Sequence, residues 1–212
     1  LKFFEEIGVE HEIWDLEKLK ERMPIYSHDQ YDGTTRPDDD EHFFDKTGKK
    51  IEGAVFTPGS GYVSDPQLSS HNLQVAAEAN GGEFLFNNEI KEIRQEDGKV
   101  LGVTLKTGEQ IDAPIVVNVA GPHSFVINRM AGVEEEMNIK TKALRHEVHH
   151  VPSPEGFDFE KDGFHTSDGD NYIYFRPETG NTILIGSEDP LCDPKEWIED
   201  PDNYNNQVTE SQ

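Results

Sequence analysis

The sequence predicts an α/β chain joined to an α+β part, and three observations predict it. A stretch with helical periodicity, residues 66–79, sits between a short apolar strand, Gly53 to Thr57, and β-prone runs that begin at Glu83. Two glycine turns, Asp97-Gly98 and Thr107-Gly108, separate three β-prone runs at meander spacing. A second strand pair, Tyr172 to Arg176 and Thr182 to Gly186, flanks the turn Pro177-Glu178-Thr179-Gly180-Asn181.

Each element has a local reason. Phe3, Phe4 and Ile7 mark one face of a helix that Gly8 stops, and Val9 to Trp14 then alternates as a half-buried strand does. Asp15 caps the next helix, whose buried stripe is Leu16, Leu19 and Met23 and whose end is Pro24. Residues 27–42, including Arg36-Pro37-Asp38-Asp39-Asp40-Glu41, read as an exposed loop, and Lys46 to Lys50 as a turn around Gly48. Asp65 and Pro66 open the helix that carries Leu68, Val75, Ala76 and Ala79 on one face, and Gly81-Gly82 closes it. The small alanines suit close approach to a sheet. Glu83 to Phe86 reads as a short strand, Glu89 to Arg94 as the first strand of the meander, Val100 to Leu105 as the second and Gln110 to Asp112 as the third. Ile115 to Val119 is nearly continuous in apolar residues, the pattern of a buried central strand. Residues 123–131 read as helix, Leu144 to Val151 as a histidine-rich strand, and 152–170 as loops.

The bulk numbers narrow the function. Of 212 residues, 43 are acidic and 19 basic, a net charge of −24 that would repel nucleic-acid phosphates and anionic membrane surfaces. The carboxylates are spread along the chain, as on a salt-adapted, halophilic surface or on an ordinary acidic soluble one. Cys192 is the only cysteine, so no intrachain disulfide forms, which fits a reducing, cytoplasmic setting. No run approaches the roughly 20 apolar residues of a membrane span. The chain opens on Leu1, not Met, and reads as an internal piece of a longer polypeptide.

Few side chains offer chemistry by pattern alone. His146 and His150 share a strand face while His149 points away, and no cysteine or well-spaced third ligand joins them, so no metal site is expected. Asp38-Asp39-Asp40 and Asp168-Gly169-Asp170-Asn171 lack calcium-loop spacing. Ser60 and Ser64 lack the glycines of a nucleophile elbow, and no side chain stands out as a secure general base. The turn Val119-Ala120-Gly121-Pro122 is different. A small side chain followed by glycine at the end of an apolar strand lets the backbone approach a ligand closely.

Gly61-Tyr62-Val63, Asp65-Pro66, Ala76-Ala77, Gly81-Gly82, Asn88-Glu89-Ile90, Gly102-Val103, Gly108 and Val116-Val117-Asn118-Val119-Ala120-Gly121-Pro122 come in a telling order. With Tyr174-Phe175-Arg176-Pro177-Glu178-Thr179-Gly180 and Leu184-Ile185-Gly186, that order resembles the FAD-dependent oxidoreductases of the D-amino acid oxidase family. The group includes sarcosine oxidase, dimethylglycine dehydrogenase and glycine oxidase. The likeness covers most of residues 1–190, while the family's opening GxGxxG turn has no counterpart here. Gly59-Ser60-Gly61 does not replace it.

The resemblance implies a partial FAD-binding, Rossmann-like lobe with a β-meander at 54–122 and a mixed-sheet substrate lobe. The latter would be built from a substrate-side segment at 1–53 and a substrate-side sheet at 123–190, followed by an acidic, loosely held tail at 191–212. It implies cofactor contacts at Gly61, Tyr62, Ile90, Val119, Ala120, Gly121 and Pro122, and substrate contacts at Tyr62, Tyr174 and Arg176. The implied activity is oxidation of a small-molecule amine or amino acid by hydride transfer to flavin, followed by hydrolysis of the imine, with FAD held by the full-length protein and not by this piece. Two other readings stand beside it: a non-catalytic binding or assembly module on the same scaffold, and a flavin-dependent oxidoreductase acting on a hydroxy acid or glycerol phosphate. Surfaces left open in such a piece would favour self-association.

Overall fold

The computed structural model describes residues 1–31, 35–36 and 38–209. Asp32, Gly33, Thr34 and Pro37 of the expected loop, and the last three residues of the expected tail, lie outside the described residues. In chain order the elements begin with α1 (Lys2–Ile7), β1 (Glu12–Asp15), α2 (Leu16–Arg22), β2 (Asp29–Tyr31), β3 (Lys46–Lys50) and β4 (Gly53–Phe56). Next come α3 (Pro66–Ala79), β5 (Ile90–Glu96), β6 (Lys99–Leu105), β7 (Gln110–Asp112), a 3-10 turn at Gly121–His123, α4 (Ser124–Met130) and β8 (Ala143–Leu144). A second 3-10 turn, Glu134–Glu136, lies between α4 and β8. Then follow β9 (Val148–Pro152), α5 (Phe159–Asp162), β10 (Thr166–Asp168), β11 (Ile173–Glu178), β12 (Thr182–Ser187) and β13 (Trp197–Ile198). This is a mixed α/β fold of several small sheets, as the sequence predicts.

The chain divides into two units. The first comprises residues 1–65, 146–195 and 208 onward, and the second residues 66–145 and 196–207.

In the first unit, β1 and β4 pair antiparallel, and β10-β11-β12-β9 form a four-stranded antiparallel sheet. Asp15 caps α2 by accepting from the Lys18 N–H at 2.9 Å. Trp14, Leu19 and Met23 are buried together, with Phe56 stacked on Trp14 at 4.3 Å and Phe164 edge-on to it. The hairpin turn between β11 and β12 places Gly180 and Asn181 at φ 88° and 57°, the left-handed region in which these two residue types are most at ease.

Two expectations about this unit are corrected. The 27–42 loop and the Lys46–Lys50 turn contain paired strands, β2 and β3. Their side chains show no apolar alternation, and the pairing is tied by ion pairs from Asp29 to Lys46 (2.7 Å) and to Lys50. Within 152–170, expected to be loops, lie α5 and β10. There Asp158 caps α5 by accepting from the Lys161 N–H, and Phe159 is fully buried.

In the second unit the meander β5-β6-β7 forms as read, with Asp97 and Gly98 both left-handed (φ 50° and 73°) in the β5–β6 turn. Ile93, Leu105 and Phe125 are its buried apolar residues. The segment after 195 returns to this unit. Trp197–Ile198 pairs with Ala143–Leu144, and the buried Arg145 donates to the Asn205 carbonyl at 2.6 Å and to Glu196 at 3.0 Å.

Three expectations fail here for one reason. Ile115–Val119 is neither a strand nor buried: Ile115, Val117 and Val119 are 76%, 74% and 86% exposed, and among the described residues no strand pairs with the run. Glu83–Phe86 likewise forms no ladder, though Phe84 and Phe86 stack on each other. The face of α3 expected to meet a sheet is open, with Leu68 and Val75 about half exposed. Apolar character gives a segment an incentive to be covered, and the covering element must come from elsewhere in space.

Candidate functional site

The four-stranded sheet of the first unit separates its two faces by strand alternation. On β11, Phe175 faces the core, stacked on Tyr26 at 5.3 Å and edge-on to Phe159, and Pro177 is buried. Tyr174, Arg176 and Glu178 take the opposite face. Cross-strand pairing sets Tyr174 against Gly186, Arg176 against Leu184 and Glu178 against Thr182, with His150 of β9 beside Leu184. Gly186 is required there. A methyl group on it would lie 2.7 Å from Tyr174 Cε1 and closer to Cζ and the hydroxyl, so the tyrosine ring lies across bare backbone.

Arg176 is held from three directions. Its guanidinium carbon sits 4.5 Å from the centre of the Tyr62 ring, a cation–π contact. Nη1 meets Glu178 Oε2 at 2.9 Å and donates to the Pro177 carbonyl at 3.2 Å. Both side chains of the ion pair are only about one-fifth exposed, at 20% and 23%. The Thr179 N–H, and then the Arg176 charge, hold the Glu178 carboxyl below the usual carboxylate range, so it stays ionised. Tyr62, exposed at its outer edge and preceded by exposed Gly61, also meets the His165 ring edge-on at 6.4 Å. The structure therefore brings Tyr62 and Arg176 together with Tyr174 on the same sheet face, and adds Glu178 and His165, which sequence reasoning did not select. For Glu178 a signal existed, since it lies two residues from Arg176 on one strand. His165 had none.

The remaining predicted residues lie in the second unit. Ile90 opens β5, half-buried and paired with Leu105. Val119, Ala120, Gly121 and Pro122 form an exposed bend leading into the 3-10 turn and α4. Gly121 is left-handed (φ 56°), and nothing lies within 4 Å of the position its Cβ would take, so the main chain here is open to a flat ligand. Asn118 fixes the bend. Its Oδ1 accepts from the Ala120 N–H at 3.2 Å, and its Nδ2 donates to the Ser124 carbonyl and to Asn128 Oδ1, both at 2.8 Å. The polar interruption of an apolar run was the sequence signal for that role.

The other candidates are accounted for locally. His150 Nε2 bonds Thr182 Oγ1 at 2.6 Å, and among the described residues no three histidine, cysteine or acidic side chains gather as metal ligands. The thiol of half-exposed Cys192 has the Asp193 carboxylate at 3.9 Å. An open cleft of about 550 Å³ beside α3, lined by Gln67, His71, Gln74, Phe84 and Phe86 among others, contains none of the predicted residues. No helix among the described residues is long and apolar enough to cross a membrane.

Comparison with known proteins bears on this arrangement. The fold is shared with solved structures, among them the following two. An L-proline dehydrogenase from P. horikoshii matches with a TM-score of 0.65 and 20% identity, over 88% of this chain and 43% of its own. A glycine oxidase from Bacillus cereus ATCC 14579 matches with a TM-score of 0.63 and 20% identity, over 99% of this chain and 46% of its own. The chain thus spans less than half the length of either. No curated protein matches. The family model described as DAO, FAD dependent oxidoreductase, matches residues 2–211. With nearly every residue inside that match, the chain belongs to the FAD-dependent oxidoreductase family of the D-amino acid oxidase type.

Proposed function

We propose that the chain is part of an enzyme that oxidises an amine or amino acid, with the substrate on the sheet face of Tyr62, Tyr174 and Arg176. The observation that carries this reading is the anchoring of Arg176. Its guanidinium rests on Tyr62 and gives Nη1 to Glu178, while the Nε and Nη2 edge has no protein partner among the described residues. A planar fork with one free edge suits a carboxylate. Tyr62 and Tyr174 supply aromatic walls that orient the rest of a small substrate and limit its access to water.

FAD, when bound, would accept a hydride from the carbon beside the substrate nitrogen, leaving an imine that water hydrolyses. The residues present fit a main-chain contact with that group. The bend Val119-Ala120-Gly121-Pro122 is open, left-handed at Gly121 and braced by Asn118. Within the same unit the backbone at Ile90 is a further proposed contact, and Gly61 and Tyr62 are the cofactor contacts proposed for the first unit by itself. On this reading 54–122 is the cofactor-side part and 1–53 and 123–190 are substrate-side, while within 191–212, expected to be a loosely held tail, residues 196–207 are tied into the second unit. The isolated chain holds FAD weakly, because these contacts are few and mostly main-chain.

The test uses the full-length protein. Anaerobic mixing with glycine, sarcosine or L-proline bleaches the flavin absorbance, and glycerol 3-phosphate does not. Arg176→Gln weakens the carboxylate-bearing amines by about 10–100-fold, the loss of one charge-assisted contact of about 1.5–3 kcal/mol, and leaves a simple alkylamine unaffected. A colourless full-length protein that ignores added FAD would rule the proposal out in favour of a binding module.

A further inference from the structure

Glu178 shares the outer face of β11 with Arg176, and its carboxylate occupies Nη1 of that residue at 2.9 Å. Two consequences follow from the geometry. First, with Tyr62 on one face and both Glu178 and the Pro177 carbonyl on Nη1, the guanidinium presents its Nε and Nη2 edge alone. Second, a permanent negative charge borders the place where an anion would bind. A ligand with one carboxylate can use the free edge. A ligand with a second carboxylate directed along β11 meets a fixed like charge, with Thr179 and His150 as its other neighbours.

We infer that Glu178 is a specificity-determining and positioning residue, which aims Arg176 and excludes dicarboxylic ligands in favour of monocarboxylic ones. The inference rests on the proposed role of Arg176. The ion pair lies within the first unit and joins residues two apart on a single strand, so its geometry is set by the sheet itself. A fixed like charge beside the site gives selectivity by penalising the wrong ligand.

The experiment is a titration of the 212-residue chain with propionate and with succinate at pH 7, followed through the Tyr62 ring and Arg176 side-chain NMR signals. Wild type is expected to favour propionate by about tenfold, as one unfavourable like-charge contact dictates. Glu178→Gln is expected to bring the two affinities within about twofold of each other, while Glu178→Asp keeps most of the preference. Glu5→Gln removes the same charge at an exposed position on α1, outside the four-stranded sheet, and is expected to leave the ratio unchanged. Arg176→Gln is expected to weaken both ligands. If Glu178→Gln leaves the ratio intact while Arg176→Gln weakens both, the role of Glu178 is wrong and the carboxylate site stands. If Arg176→Gln changes neither affinity, or wild type shows no saturable binding of either acid, the carboxylate site is wrong and the inference falls with it.

Discussion

Gly186→Ala tests the placement of Tyr174 with a single methyl group. The added carbon would lie 2.7 Å from Tyr174 Cε1, whereas non-bonded carbons settle at about 3.5–4.0 Å, so the ring must retreat by about 1 Å. The backbone of Gly186 is not in the left-handed region, so alanine brings no conformational strain of its own. The whole cost is therefore steric, about 1–3 kcal/mol as for other overpacked sites. It should be relieved when the ring is removed. A double-mutant cycle isolates it: urea unfolding of wild type, Gly186→Ala, Tyr174→Leu and the double variant. The expected coupling is at least about 1 kcal/mol, with Gly186→Ala nearly neutral in the Tyr174→Leu background. On the proposed function, the displaced phenol would also raise KM for amine substrates in the full-length protein. An equal cost of Gly186→Ala in both backgrounds would show that Tyr174 does not lie across this glycine.

Three further outcomes follow from the same structure. Burial pushes the Tyr26 hydroxyl up to about 12, partly offset by the Phe164 main chain and by Thr166, and the oxygen reaches no hydrogen bond of good geometry. The folded value is above the unfolded one, near 10. The stabilising contribution is complete below pH 10 and is lost as pH rises through 12. Thermal midpoints of wild type should therefore fall more steeply over that window than those of Tyr26→Phe, and parallel curves would contradict the assignment. Gly102→Ala joins a disallowed φ of 137° to a methyl 2.9 Å from the Ala113 nitrogen and nearer still to the Ile111 carbonyl, costing roughly 3 kcal/mol or more. Loss of amide-exchange protection at Ile93 and Leu105 would register it. Asn118→Ala removes three hydrogen bonds from a half-buried side chain, costing the second unit about 2 kcal/mol. Asn118→Asp keeps the acceptor for Ala120 but turns a carboxylate oxygen onto the Ser124 carbonyl and Asn128 Oδ1, so it should cost at least as much as alanine, and a near-neutral Asn118→Asp would argue against the bracing role.

The sequence was most legible where local chemistry decides conformation. Asp97-Gly98 and Gly180-Asn181 adopt left-handed turns because those residues tolerate them, and Asp15 caps α2 because its short carboxylate reaches back to Lys18. It was least legible where a partner decides. β2 and β3 are polar strands whose pairing hangs on Asp29 and two lysines 17 and 21 positions away, which no periodicity announces. Tyr62 and Arg176 were each selected for the site, yet their contact joins a loop to a strand far along the chain. The run at 115–119 shows the converse, since its composition was read correctly and its burial was not.

That run also shows how an exposed segment keeps a defined shape. Covering Ile115, Val117 and Val119 would be worth about 1.5–3 kcal/mol each, and none of that is realised while they stand 74–86% exposed. The bend that follows them is held by other means. Asn118 ties the Ala120 N–H on one side and both Ser124 and Asn128 on the other, so the start of α4 and the bend share one side chain. Hydrogen bonds within ten residues fix Ala120 and Gly121, whatever covers the apolar run. A ligand reaching this main chain would meet a backbone already ordered by its own hydrogen bonds and would not have to order it, and the entropy cost of ordering is what most weakens a contact made through backbone alone.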